Sequence, residues 1–146
     1  MPEGYRLREA WPHDALTLSG MVREYLLTHW RGGDPANLTS AERAELDGMG
    51  DLLRSGVRGW LARTDAGVPV GCVLRHRDGE MGRLFVRARH QRAGVGSMLA
   101  EAAAAGGATW TTIAVDNEPC QRLFETLGWT RQGLKEPGYE RWEMRP

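Results

Sequence analysis

The chain is poor in several features that would have decided its class at once. It has two cysteines, Cys72 and Cys120, in 146 residues, too few for a disulfide scaffold and without metal-ligand spacing. It has no net charge, since 19 basic side chains balance 19 acidic ones. That balance argues against a protein built chiefly to neutralise nucleic-acid phosphates. No apolar run approaches the roughly 18 residues of a membrane helix. Met1-Pro2-Glu3-Gly4-Tyr5 has neither the basic nor the apolar region of a signal peptide. Lysine is nearly missing too: Lys135 is the only one, so arginine carries the positive charge. No repeat, low-complexity tract or linker divides the chain. The absences leave an expectation of a soluble, cytoplasmic, single domain over residues 1–146, with no membrane, metal or nucleic-acid partner. At this length, with 41% apolar residues, one core can stand without staples.

What is present is a series of short periodic segments. Tyr5-Arg6-Leu7-Arg8 alternates as a strand with one wet face. Leu18, Met21, Val22, Tyr25 and Leu26 form one helical stripe between Asp14 and about His29. Thr39 and Glu42 have capping-box spacing and open a second helix with Leu46, Met49, Leu52 and Leu53 inside. Val57–Arg63, Val68–Arg75 and Glu80–Val86 read as a three-strand meander turning at Thr64-Asp65-Ala66-Gly67 and Asp78-Gly79. A helix follows from Val95 to the stop at Gly106-Gly107, then a strand over Ala108–Val115. Asp116 or Asn117 caps the next helix, which ends at Gly128, and Trp129–Gln132 and Tyr139–Met144 are the last strands. The order βαα-βββ-α-β-α-ββ predicts a mixed α/β fold with helices on both faces of the sheet.

The stretch that carries chemistry runs from Leu84 to Ser97, at a strand–loop–helix junction. Helix-start amides point outward unpaired, and the macrodipole adds about half a positive charge. Gly94 and Gly96 remove Cβ atoms that would hold a phosphate away. Arg83, Arg87, Arg89 and Arg92 add charge with no acid between Arg83 and Ser97. The pattern suits a pyrophosphate, although two glycines in a loop also suit an ordinary turn. A P-loop fails for want of its lysine. A dinucleotide fingerprint has Asp116 about 20 residues on as a ribose-binding acid, but Leu99 occupies its third glycine position. The loop from Arg87 to Ala93 is also too long for that tight turn. Nucleic acid is a further alternative for the basic run, but Phe85 is its one aromatic and lies within the strand.

Gln91-x-x-Gly94-x-Gly96 resembles the pyrophosphate loop of the GNAT superfamily of acetyl-CoA-dependent N-acetyltransferases. Asn117-x-x-Cys120-x-x-Leu123-Phe124-Glu125-x-Leu127-Gly128-Trp129 is similar to that family's Asn-x-x-Ala-x-x-Leu-Tyr-Glu-x-x-Gly-Phe helix, and the spacing between the motifs agrees. The resemblance covers roughly Glu80 to Trp129. It implies a central, mostly antiparallel sheet in which Glu80–Val86 splays from Ala108–Val115 to admit the pantetheine arm. It further implies that acetyl-CoA is the acyl donor and that a small-molecule or peptide amine is the acceptor. Leu84 and Val86 would meet the pantetheine. Gln91, Arg92, Ala93, Gly94, Val95, Gly96 and Ser97 would hold the pyrophosphate, and Asn117 and Phe124 would flank the arm or thioester. Dimerisation is common in the family, so a homodimer stays open.

The implied reaction is direct attack of the amine on the thioester. A backbone N–H beside Val86 is the family-style oxyanion donor. Glu80 occupies the position where some members carry the general base, six residues and about 20 Å of strand before Val86. The plainer reading of Glu80 is a polar residue after a turn. Many members have Tyr where this chain has Phe124, which cannot donate a proton. Tyr139 could substitute, or no strong acid is used, because a thiol titrates near 8.5 and its anion leaves tolerably. An acyl-CoA-binding domain without turnover and transfer of a longer acyl group remain as alternatives. His29 and Trp30 lie in the loop after the first helix, where the family often binds the acceptor. His13, His29, His76 and His90 form no i, i+4 pair and have no cysteine partner. Cys120 reads as a packing residue rather than a nucleophile.

Overall fold

A computed structural model describes residues 2–144, with Lys135 described through its backbone only. The strands are β1 (Tyr5–Ala10), β2 (Arg58–Thr64), β3 (Pro69–Arg75), β4 (Glu80–Val86), β5 (Trp110–Ala114), β6 (Thr130–Glu136) and β7 (Tyr139–Glu143). The helices are α1 (Ala15–His29), α2 (Ser40–Asp47), α3 (Met49–Arg54), α4 (Val95–Ala105) and α5 (Glu118–Thr126). The strands join in the order β1-β2-β3-β4-β5-β7-β6. Every neighbouring pair is antiparallel except β4 and β5. This is the expected mixed sheet with helices on both faces.

Alternation along the strands supplies each face with its own core. On the rear face, Trp60, Val73, Met81, Ile113 and Trp142 pack with Val95, Met98 and Leu99 of α4 and Phe124 of α5. On the front face, Leu61, Cys72, Leu74 and Phe85 pack with Leu18, Met21, Val22 and Leu26 of α1 and Met49 of α3. The predicted stripe of α1 is therefore its buried face.

Several boundaries differ from the sequence reading, and three of the differences have a clear local reason. The capping box forms as expected, the Glu42 amide donating to Thr39 Oγ1 at 3.0 Å and the Thr39 amide to Glu42 Oε1 at 2.9 Å. The single helix predicted after it is two, divided at Gly48, where a Cβ would lie 3.0 Å from the Ala44 carbonyl. The strand expected from Ala108 begins at Trp110, because the Ala108 amide still donates to Ala103 O at 2.9 Å at the end of α4. β6 starts at Thr130 and runs to Glu136, since the Trp129 amide is held by Phe124 O at 2.9 Å and pairing with β7 extends the strand.

The two glycines after α4 serve different ends. Gly107 adopts φ of 103°, the left-handed conformation that glycine takes without a Cβ clash. Gly106 has an ordinary φ, but a Cβ there would come within 2.4 Å of the Trp60 ring. That ring has little freedom to retreat, lying under the Arg58 guanidinium at 5.1 Å. Gly106→Ala should therefore destabilise the fold by roughly 1–3 kcal/mol through overpacking. A lower urea midpoint with an unchanged slope is the expected observation.

Candidate active site

β4 and β5 pair only at Glu80–Trp110 and Met81–Thr111. The Thr111 hydroxyl donates to Met81 O at 2.7 Å and pins this vertex. Beyond it no ladder pair joins the two strands among the described residues, so the facing backbone edges of 82–86 and 112–114 line a wedge. Each strand is tied off at the open end by a glutamine. The Gln91 amide donates to Val86 O at 2.9 Å, and the Gln121 amide to Ala114 O and Val115 O at 3.2 and 2.9 Å.

The divergence coincides with a bulge in β4. Leu74 pairs with Gly82 and Cys72 with Phe85, so Arg83 and Leu84 together stand opposite Val73. An extra residue bends the strand and reverses the alternation after it. Met81 thus faces the rear core and Phe85 the front core. The bulge lies at Arg83, three residues before Val86 and about 10 Å of strand from Glu80. Arg83 has φ of 55° and Arg92 has φ of 65°. Among the described residues these are the non-glycine positions with positive φ, and both lie along the expected cofactor path.

The mouth of the wedge leads to the start of α4. Gly94 is the N-cap with φ of 87° and makes no side-chain cap. The helix ladder begins with the Met98 amide donating to Gly94 O at 3.1 Å. The amides of Val95, Gly96 and Ser97 therefore lie outside the helix's own ladder, at its positive end. The loop Gln91–Gly94 is exposed. His90 is fixed against β1, with Nδ1 2.8 Å from the Tyr5 hydroxyl.

The basic run is divided in its work. Arg83 forks onto Glu45 of α2 at 2.6 and 3.0 Å. Arg87 reaches Glu24 of α1 and Pro69 O, each at 2.7 Å. These two guanidiniums hang helices on the sheet, while Arg89 and Arg92 stay exposed beside the loop. Leu84 and Val86 are half-buried with side chains on the rear core, so it is their backbone edge that borders the wedge.

Phe124 does not border solvent: it is 1% exposed and meets Trp129 edge-on at 5.0 Å. Its ring supports α5 from inside. Asn117 caps α5, accepting from the Cys120 amide at 3.2 Å. Burial pushes the thiol of Cys120 up to about 11 and that of Cys72 up to about 12, so neither is a ready nucleophile.

On the front face the structure gathers residues far apart in the sequence. Trp30, 41% exposed, lies against Tyr139 at 5.8 Å. His29 contacts Tyr25 and Phe85 at 5.4 and 5.7 Å, and Tyr25 contacts Phe85 at 5.7 Å. These rings bridge from β7 to β4 across the wedge. Tyr25 reads in the sequence only as part of an apolar stripe. Burial raises its pKa, against a hydrogen bond with Trp30 and the Arg83 charge. Glu80 shares the front face with Gly82 by alternation, and its amide donates to Asp78 Oδ1 at 2.9 Å. His76 was legible only as a lone histidine. Its Nε2 lies 3.0 Å from where a Gly82 Cβ would be, beside the vertex.

A family model described as the acetyltransferase (GNAT) domain matches residues 55–131, and the chain belongs to this family of acyl-CoA-using acyltransferases. No curated protein matches it. Among solved structures it is similar to the PaiA N-acetyltransferase from Thermoplasma acidophilum, solved in complex with coenzyme A, at 15% identity and a TM-score of 0.71, covering 97% of this chain and 99% of that one. It is similar to an acetyltransferase of the GNAT family from Streptococcus pneumoniae at 22% identity, TM-score 0.65, covering 95% and 96%. A spermidine N-acetyltransferase chimera from Vibrio cholerae and hSSAT is similar at 15% identity, TM-score 0.64, covering 97% and 95%. Among the described residues no helix is long and apolar enough to cross a membrane.

The loop bearing Trp30 is anchored by Arg31, which forks onto Glu42 at 2.6 and 2.8 Å. That hydrogen bonding, joined by the Thr39 amide and opposed by burial, lowers the Glu42 pKa from 4.5 to about 2. A carboxyl lowered on folding contributes stability above its unfolded pKa and loses it as pH falls through the folded one. Glu42→Gln should lower Tm by a few degrees at pH 7, and the gap to the unmodified protein should close as pH falls from about 4.5 to 2. Thermal melts of both proteins across that range check it.

Proposed function

We propose that the chain transfers an acetyl group from acetyl-CoA to a primary amine, by direct attack while both are bound, and that residues 1–146 form one domain for that task. The observation that carries this reading is the wedge between β4 and β5, whose open end leads to the uncapped start of α4. The residues present fit the group. An extended pantetheine arm could add to the facing strand edges as an extra strand would. A pyrophosphate could accept from the amides of Val95, Gly96 and Ser97 at the helix's positive end, with Gln91, Arg92, Ala93 and Gly94 around it. When bound, acetyl-CoA supplies an activated acyl thioester.

The chain's own residues meet the remaining needs. A backbone N–H of β4 between the Arg83 bulge and Val86 is assigned to donate toward an acyl oxygen. Glu80, on the front face by the vertex, is assigned the proton of the attacking ammonium, directly or through a water. Phe124 has no proton to give, and the reading needs no strong acid there. His29 and Trp30 are assigned to the acceptor. An amine, spermidine, is the acceptor named for the similar N-acetyltransferase chimera.

Three measurements test the reading. Saturating acetyl-CoA, at about 100 times Kd, should stabilise the protein by roughly 2.7 kcal/mol and raise Tm by several degrees, whereas NADH should not. Gly94→Val, placing a branched side chain at φ of 87° beside the pyrophosphate, should weaken that binding by roughly 1–3 kcal/mol. Equal affinity in a folded variant would remove the assigned site. Glu80→Gln should slow amine-dependent release of coenzyme A about tenfold or more at neutral pH and leave acetyl-CoA binding nearly intact. An unchanged rate at saturating amine would move the base elsewhere.

A further inference from the structure

Three buried side-chain polar atoms lack a hydrogen-bond partner among the described residues: Arg75 Nε, Thr112 Oγ1 and Trp142 Nε1. Two lie on the rear side of the sheet. Arg75, next to front-facing Leu74, bonds through its other nitrogens to Gly106 O and Gly56 O at 3.3 and 2.6 Å. Trp142 belongs to the rear core, under the Arg131 guanidinium at 5.1 Å. Thr112 is the one on the front side. It follows the last residue of β5 paired with β4, so it stands level with Gly82 at the point where the wedge opens. Its neighbour Ile113 fills the rear core, so Thr112 faces front, beside Arg141 of β7 and on the side of Trp30 and Tyr139. Valine has nearly the same shape and favours strands equally, and would bury no hydroxyl. The hydroxyl therefore costs stability in a position where it meets no partner among the described residues.

We infer that Thr112 is a catalytic residue whose hydroxyl donates a hydrogen bond to the thioester sulfur at the vertex of the wedge. The inference rests on the acyl-CoA reading above. An arm running in from the α4 end would bring its sulfur to the vertex, between Gly82 and Thr112. The amine nitrogen bonds to the acyl carbon as the carbon–sulfur bond breaks, and the bonding pair stays on sulfur. Thr112 keeps its proton and shares it with that sulfur. Glu80 holds the proton already given up by the ammonium, so the second proton, shed from nitrogen as the amide forms, goes to water. A hydrogen bond suffices because a thiolate needs less help than an alkoxide. The stabilisation that Phe124 cannot give from α5 thus comes from β5.

The test compares coenzyme A with desulfo-coenzyme A by calorimetry, on the unmodified protein, Thr112→Val and Thr112→Ser. The unmodified protein should favour coenzyme A roughly five- to tenfold. Thr112→Val should lose most of that preference, retain its ligand-free Tm or exceed it, and show kcat reduced about tenfold or more with an accepted amine. Thr112→Ser should restore both the preference and most of kcat. Three results would overturn the assignment: a preference kept by Thr112→Val, a preference lost equally by Thr112→Ser, or a lower ligand-free Tm in Thr112→Val. An unmodified protein that binds neither compound would instead overturn the acyl-CoA reading itself.

Discussion

A β-sheet satisfies its backbone by being continuous, and a sheet that must admit something between two strands has to stop being continuous without falling apart. Here that conflict is resolved at Arg83. One extra residue turns β4 away from β5, and the Thr111 hydroxyl on Met81 O keeps the strands joined just before the turn. The left-handed backbone at Arg83 is held by contacts on both sides: its guanidinium forks onto Glu45, and its carbonyl accepts from the buried Cys72 thiol at 3.4 Å. Helix α2, the front core and the wedge all refer to this one residue.

The arginine-for-lysine bias acquires a physical meaning in this setting. Glu9, Glu24, Glu42 and Glu45 are each met by an arginine, through Arg58, Arg87, Arg31 and Arg83. The planar fork of arginine matches a carboxylate in a way that a lysine ammonium cannot. Three of these four pairs are two-point contacts. Half of the run that looks in the sequence like a reserve for phosphate, Arg83 and Arg87, instead fixes helices to the sheet.

Element order was legible because periodicity and capping are local. β4 is bounded as predicted, and α1, α4 and α5 follow their stripes and glycine stops. Gly94 and Gly96 announce a loop entering a helix for the same reason. The bulge was not legible, because Arg83 carries no residue-type mark of a positive φ. Nor was the division of the basic run, which depends on Glu24 and Glu45, dozens of residues upstream. Phe124 sits in a helix motif that aligns letter by letter, yet its burial depends on Trp129 packing beneath it. The gathering of Trp30, Tyr139, Tyr25 and Phe85 is a product of sheet order, which places β7 beside β5.

The sheet's two faces differ in one more way. Behind the wedge, Met98, Ile113 and Phe124 fill the space with packed hydrocarbon; before it stand rings, carboxylates and a loop. A flat acyl carbon held in the gap would have two mirror-related sides, and the packed rear would leave the front one to a nucleophile. The fold would thus impose handedness on a reaction in which neither the acyl group nor the amide product has any.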